Sequence, residues 1–284
     1  MKVILAQIAP SLGDAERNLK IHLEEIRRAE RAGADLIVFP ELSLTGYLLQ
    51  DLVAECAMEP KTSPLLRRLE KASARVAVVA GFVEQGPGIS FYNAAACFVK
   101  GKLAHLHRKV YLPTYGMFDE GRYFAQGDVF RTFEAPWGRT GILICEDFWH
   151  LSSSWLLAQE GMELLVVATN SPVKEIKAAG APTGQAAWSR LGQVVAQFLT
   201  CYVVCVNRAG GEEGWTFAGG SFAVAPSGKL IGEARQLRAD RLAVALPPGP
   251  LRQARTTSPL LRDEKLDLVR RELGRIVSSR YKQE

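Results

Sequence analysis

No apolar run among the 284 residues approaches the ~18–20 needed to span a membrane. Near the start only Val3 to Ile8 is apolar before polar and charged residues follow, too short for a secretory signal. Cysteine is scarce. The five present (Cys56, Cys97, Cys145, Cys201, Cys205) form no CxxC pair and no Cys/His grouping with zinc spacing, so no metal is expected. An odd count without a secretion signal fits a reducing cytoplasm, and four of the five read as small buried hydrophobes. Blocks of five or six like charges are missing: 35 Lys+Arg face 30 Asp+Glu, and stretches such as Glu24–Arg31 mix both signs. That argues against a nucleic-acid partner. Gly219-Gly220-Ser221 is no GxSxG elbow, and the glycines near Gly86 and Gly210 match no dinucleotide or phosphate loop. No linker, repeat or low-complexity tract divides the chain, so residues 1–284 read as a single domain. The remaining composition, 48% hydrophobic and 23% charged, is that of a folded globular protein.

Short apolar runs alternate with amphipathic stretches. KVILAQI predicts a strand, Asp14–Ala32 a helix closed by Gly33, and DLIVFP a buried strand ended by Pro40. Ser63-Pro64 starts a further helix and RVAVVAGFVE reads as the next strand. YNAAACFV and KLAHLHRKV predict a hairpin about Lys100-Gly101. GRTGILIC is a strand, Asp147–Glu160 a helix, ELLVVATN a strand, Ala186–Leu199 a helix and CYVVCVNRAG a strand. TFAGGSFAVAP, GKLIGEAR and RLAVALP then predict a meander, and Leu260–Ser279 a charged closing helix. This is an α/β pattern with more strands than one sheet usually holds, which two stacked sheets with helices outside would accommodate.

Three strand ends carry reactive groups. Cys145 sits where GILIC meets the start of a helical stretch, near backbone N–H groups that favour a thiolate and can hold an oxyanion. The adjacent Glu146 and Asp147 oppose a thiolate, so a nucleophile here needs a cation and a base from elsewhere. The alternative is a buried strand-end cysteine. Glu41, in FPELSLTGY, is either a partly desolvated general base or a solvated loop residue. Lys109 precedes an aromatic loop that carries Tyr111, Tyr115, Phe118, Glu120, Tyr123 and Phe124; such a loop covers a core edge or lines a pocket. His105 and His107 alternate along a strand, which suits one face better than a metal site.

FPELSLTGY, HRKVYLPTYGMFDEGRYF and GILICEDFW together resemble the three signature segments of the nitrilase superfamily, the carbon–nitrogen hydrolases. VNRAGGEEGWTFAGGSFAVAPSGKLIGEA resembles that family's later strands, so the likeness covers nearly the whole chain. It implies a four-layer α-β-β-α sandwich, Glu41 as general base, Lys109 as the cation on the tetrahedral intermediate, Cys145 as nucleophile and Glu120 as a second glutamate positioning them. It also implies a homo-oligomer acting on a small-molecule amide without metal or organic cofactor. The branch most similar is the glutaminase domain of glutamine-dependent NAD synthetase, where Tyr47, Tyr115, Phe118, Glu146 and Ser171 fall at glutamine-contacting positions. SGGxDS, the phosphate loop of that branch's synthetase domain, does not occur here, and Lys174 and Lys177 stand where its glutaminases carry an arginine-rich run. The reaction implied is amide hydrolysis of amidase or ω-amidase type. A glutaminase subunit feeding a separate synthetase, or a nitrilase acting on a nitrile, are the alternatives.

Overall fold

The computed structural model describes residues 1–173 and 184–280. In chain order the strands are β1 (Lys2–Gln7), β2 (Leu36–Val38), β3 (Ala77–Gln85), β4 (Phe91–Val99), β5 (Lys102–Arg108), β6 (Phe133–Ala135), β7 (Gly138–Ile144), β8 (Leu164–Thr169), β9 (Tyr202–Asn207), β10 (Ala209–Glu212), β11 (Trp215–Ala218), β12 (Phe222–Val224), β13 (Leu230–Glu233) and β14 (Asp240–Ala245). The helices are α1 (Ala15–Arg31), α2 (Val53–Cys56), α3 (Pro64–Ala72), α4 (Glu120–Tyr123), α5 (Leu151–Gln159), α6 (Gln185–Phe198), α7 (Pro248–Thr257), α8 (Leu260–Asp263) and α9 (Leu266–Arg280).

Two six-stranded sheets form, ordered β14-β1-β2-β3-β4-β5 and β13-β12-β9-β8-β7-β6. Each has three parallel strands at its centre (β1, β2, β3 and β7, β8, β9) flanked by antiparallel ones. The side-chain alternation of a strand sorts the first sheet's residues between two faces. Val3, Leu5, Leu36, Val38, Ala77 and Val79 join the core shared with the second sheet. Ile4, Ala6, Ile37, Val78 and Ala80 pack instead against Leu19 and Ile26 of α1 and Leu66 and Leu69 of α3. Slipping β1 by one residue would exchange its two sets, so both cores specify its register. The central strands of the second sheet are buried on both sides, between the first sheet and α5 and α6, and their sequences ILI, LLVV and VVCV do not alternate. The result is the four-layer α-β-β-α sandwich.

Several boundaries depart from the sequence reading. The expected meander is broken: β12 and β13 form a hairpin, whereas β14 crosses to pair antiparallel with β1 and covers what would be an open sheet edge. CYVVCVNRAG divides into β9 and β10, and β10 forms a separate hairpin with β11. The predicted helix 147–160 is a 3-10 turn, Cys145–Trp149, followed by α5; His150 is extended between them and its ring stacks on Tyr111 at 3.5 Å. The closing helix splits into α8 and α9 at Glu264, whose carboxylate accepts hydrogen bonds from the Trp155 indole and the Lys265 N–H. Cys97, Cys201 and Cys205 are buried as expected, but Cys56 is partly exposed.

Candidate active site

Three strand ends meet between the sheets. Glu41 lies three residues beyond β2, on a turn that passes over β3 at Gly81. A Cβ at Gly81 would come within 2.3 Å of the Leu42 nitrogen, so only glycine permits this close crossing. Leu42 itself is left-handed at φ 44°. Lys109 follows β5 directly and is 0% exposed. Cys145 opens the 3-10 turn after β7 and is also left-handed at φ 45°, a conformation that costs a non-glycine residue about 1–3 kcal/mol and recurs at functional sites.

Glu41, Lys109 and Glu120 form one hydrogen-bonded network, and Cys145 lies within the field of all three. Lys109 Nζ donates to Glu41 Oε1 at 2.8 Å and to Glu120 Oε1 at 2.7 Å. Tyr47 Oη donates to the same Glu120 oxygen at 2.6 Å. Glu120 Oε2 has no partner among the described residues. The Glu41 carboxylate also accepts from Asn93 Nδ2 and from the Asn170 N–H, each at 2.8 Å. Cys145 Sγ receives the Thr169 hydroxyl at 3.3 Å.

Burial and charge compete at Lys109, Glu120 and Cys145. Burial works against the Lys109 ammonium, but the Glu120 and Glu41 carboxylates outweigh it and hold the group well above the ordinary lysine range. Burial pushes Glu120 up to about 7, with Glu41 adding to the rise and Lys109 opposing it. The Cys145 thiol is raised well above its usual value by burial first and Glu41 second, while Lys109 and the Thr169 hydroxyl pull it down.

Sequence reasoning missed the groups that hold the network in place. In the sequence Asp147 reads as a charge beside the thiol; its buried carboxylate instead clamps two segments together. It accepts from the Ile144 N–H at 3.1 Å on the nucleophile's side. From the Lys109 side it accepts the Val110 N–H at 3.0 Å, the Tyr111 N–H at 2.9 Å and His107 Nε2 at 2.8 Å. Glu212 acts likewise on Tyr47: it accepts the Tyr47 and Leu48 N–H groups at 2.9 and 2.7 Å, and Arg208 pairs with its other oxygen at 2.6 Å. The partners that matter most, residues 107, 110 and 111 for Asp147 and residues 47 and 48 for Glu212, are remote in sequence, so no local pattern signals them. The one available hint was a charged residue inside an otherwise apolar stretch, as at Arg208 and Asp147.

The remaining residues singled out from sequence lie around this centre. Tyr115, 54% exposed, donates to Glu146 at 3.0 Å; burial of its hydroxyl and the Glu146 carboxylate push it up to about 12. Phe118 packs edge-on against both Tyr115 and Trp215. A cleft of about 770 Å³ adjoins Tyr47, Phe118, Glu120, Tyr123 and Trp215. Ser171 Oγ accepts the Trp188 indole N–H at 3.0 Å. Lys174 and Lys177 lie outside the described residues. Among the described residues no group of three or more His, Cys, Asp or Glu is placed to hold a metal ion.

Comparison with known proteins shows the family. The family model described as carbon-nitrogen hydrolase matches residues 2–256. A glutamine-dependent NAD(+) synthetase of Thermotoga maritima is 33% identical over 250 residues, covering 87% of this chain and 42% of that protein. The chain therefore spans about two fifths of the length of that relative. An (R)-stereoselective amidase of a Pseudomonas species is 36% identical over 272 residues, covering 94% of this chain and 93% of the amidase. Saccharomyces cerevisiae Nit3, described as a member of branch 10 of the nitrilase superfamily, superposes with a TM-score of 0.80 at 25% identity, over 92% of this chain and 94% of that one. With two layers of helices enclosing two sheets, Lys109 paired with Glu41 and Cys145 within the field of both, this chain belongs to the carbon–nitrogen hydrolases of the nitrilase superfamily.

Proposed function

We propose that the protein hydrolyses a small carboxamide to a carboxylate and ammonia through an acyl-thioester on Cys145. The observation that carries the reading is the Lys109 ammonium shared between Glu41 and Glu120 beside a buried thiol. Cys145 Sγ attacks the amide carbon while its proton passes to Glu41. The oxyanion is held by Lys109 Nζ and by the Glu146 N–H, the first amide after the nucleophile. Glu41 then gives its proton to the departing nitrogen, the C–N bond breaks, and ammonia leaves a thioester. A water that loses a proton to Glu41 attacks the thioester, releasing the carboxylate and returning the proton to sulfur. Glu120 and Tyr47 position Lys109, and Tyr115, Phe118, Glu146 and Ser171 border the space for the acyl group.

Likeness to an amidase over nearly the full length of both chains supports this reading. One observation favours a second: the likeness to a glutamine-dependent NAD(+) synthetase suits a glutaminase that passes ammonia to a separate synthetase subunit. The reading includes a single domain over 1–284, a cytoplasmic setting and a homo-oligomer. Free cysteines support the setting, and exposed Leu151 and Leu156 on α5 with Val194 and Phe198 on α6 support assembly. No described helix is long and apolar enough to cross a membrane.

The test is ammonia release from a panel containing a neutral aliphatic amide, an ω-amide, glutamine and a nitrile. Amide turnover that disappears in Cys145→Ser is the expected result. A kcat/KM for glutamine ~100-fold above the aliphatic amide, about 2.7 kcal/mol of transition-state binding, favours the glutaminase. Turnover of no amide by the intact protein refutes both.

A further inference from the structure

The mechanism above leaves one contact unused. Thr169 is the last residue of β8, is 1% exposed, and donates its hydroxyl to Cys145 Sγ at 3.3 Å. Among the described residues this is the one hydrogen bond to that sulfur. We propose that Thr169 is a further catalytic residue, whose hydroxyl stabilises and orients the Cys145 thiolate for attack. The inference rests on the acyl-thioester reading.

The strand places the hydroxyl firmly. Thr169 pairs in register with Asn207 of β9, and its carbonyl accepts the Arg208 N–H at 3.2 Å. A β-branched side chain in a strand has few rotamers open to it. The next residue, Asn170, binds Glu41 through its N–H. One strand end thus holds the nucleophile with one residue and its base with the next.

The sulfur needs such a donor. It faces Glu41 from the turn after β2, Lys109 from the end of β5, and Glu120 from α4. Tyr47 and Tyr115 also lie within its field, both raised and therefore neutral near pH 7. Glu146 and Asp147 sit on its own turn, Glu146 bonded to Tyr115 and Asp147 to His107 and three backbone amides. Burial and Glu41 oppose a negative sulfur; Lys109 and Thr169 favour it. Lys109 already donates to two carboxylates, so Thr169 is the donor committed to sulfur alone.

A donor to a thiolate has two opposed effects. It increases the thiolate fraction, and it lowers the reactivity of each thiolate, with a Brønsted slope of about 0.4–0.5. Losing a charge-assisted bond raises a thiol's titration midpoint by roughly one to two pH units. Below the midpoint the thiolate fraction then falls ~10–100-fold while each thiolate becomes ~3–10-fold more reactive. The net loss is ~3–10-fold.

The experiment measures iodoacetamide alkylation of Cys145, located by peptide mapping, from pH 6 to 10 in wild type, Thr169→Val and Thr169→Ser. Steady-state kcat and KM for an aliphatic amide are measured alongside. Thr169→Val should alkylate ~3–10-fold more slowly at pH 7, with its rising limb displaced to higher pH, and should lose kcat with KM within about twofold. Thr169→Ser, which keeps the hydroxyl, should lie within about twofold of wild type. If the valine variant does not fold, Thr169→Ala removes the same hydroxyl and serves in its place. A Thr169→Val profile that overlays wild type, or a serine variant as slow as valine, overturns the inference. Alkylation of another cysteine ahead of Cys145, with turnover surviving in Cys145→Ser, refutes the acyl-thioester reading instead.

Discussion

Replacing Glu120 by glutamine separates its charge from its shape. Two donors, Lys109 Nζ and Tyr47 Oη, lie on Oε1 and, among the described residues, none on Oε2. Glutamine can keep its carbonyl oxygen under both donors and put its amide where the unpartnered oxygen was, so the geometry survives while the charge is lost. Burial lifts the Glu120 carboxyl from 4.5 to about 7. A carboxyl raised on folding lends its stabilisation below the unfolded value, and that stabilisation is lost as pH rises through the folded value. At about 1.4 kcal/mol per pH unit the wild type loses about 3 kcal/mol from this group between pH 4.5 and 7.5, and Glu120→Gln does not. Glu120 is buried, so solvent screening removes little of this. The assay is urea unfolding of both proteins across that range. The variant should gain on wild type by about that amount as pH rises. Its turnover should fall ~100-fold or more, because Lys109 then draws on Glu41 alone and weakens it as a base. Parallel stability curves together with near-normal ammonia release would refute the reasoning.

Asp147→Asn turns an amide N–H toward a group of four donors, leaving about two of them without an acceptor. It should destabilise by roughly 2–6 kcal/mol in urea, against less for His107→Leu, which removes a single donor; equal losses would show that packing rather than hydrogen bonding holds the clamp. Gly81→Ala drives a methyl against the Leu42 nitrogen and displaces the turn that carries Glu41. kcat should fall by ~10-fold or more, since misplacement of about 1 Å can cost 10²-fold, with the circular dichroism spectrum unchanged. A Gly81→Ala enzyme with normal kcat would contradict the close crossing.

Local chemistry made much of this protein legible before its structure was known. The runs Lys2–Gln7 and Leu164–Thr169 are too apolar to be anything but buried strands, and Asp14 and Ser63 cap the helices they precede. Cys145, Lys109 and Glu41 stood out because each reactive group falls where an apolar strand ends. What escaped the sequence reading is long-range. Nothing near Asp147 indicates that its carboxylate collects amides from residues 110 and 111, and although Arg208 and Glu212 lie four residues apart, nothing near them indicates the Tyr47 and Leu48 amides that Glu212 holds. β14 looks like the third strand of a meander until the open edge of β1 competes for it. The helix read across His150 fails because a tertiary stack on Tyr111 outweighs local helical preference.

The measurement closest to the central claim is intact-protein mass spectrometry of enzyme quenched during turnover of an aliphatic amide. The account predicts an added mass equal to the acyl group, with ammonia lost, mapped to Cys145 and removed by hydroxylamine. It also predicts that Cys145→Ser shows neither adduct nor turnover. An adduct on Cys201 or Cys205, or ammonia release that persists in Cys145→Ser, would contradict it.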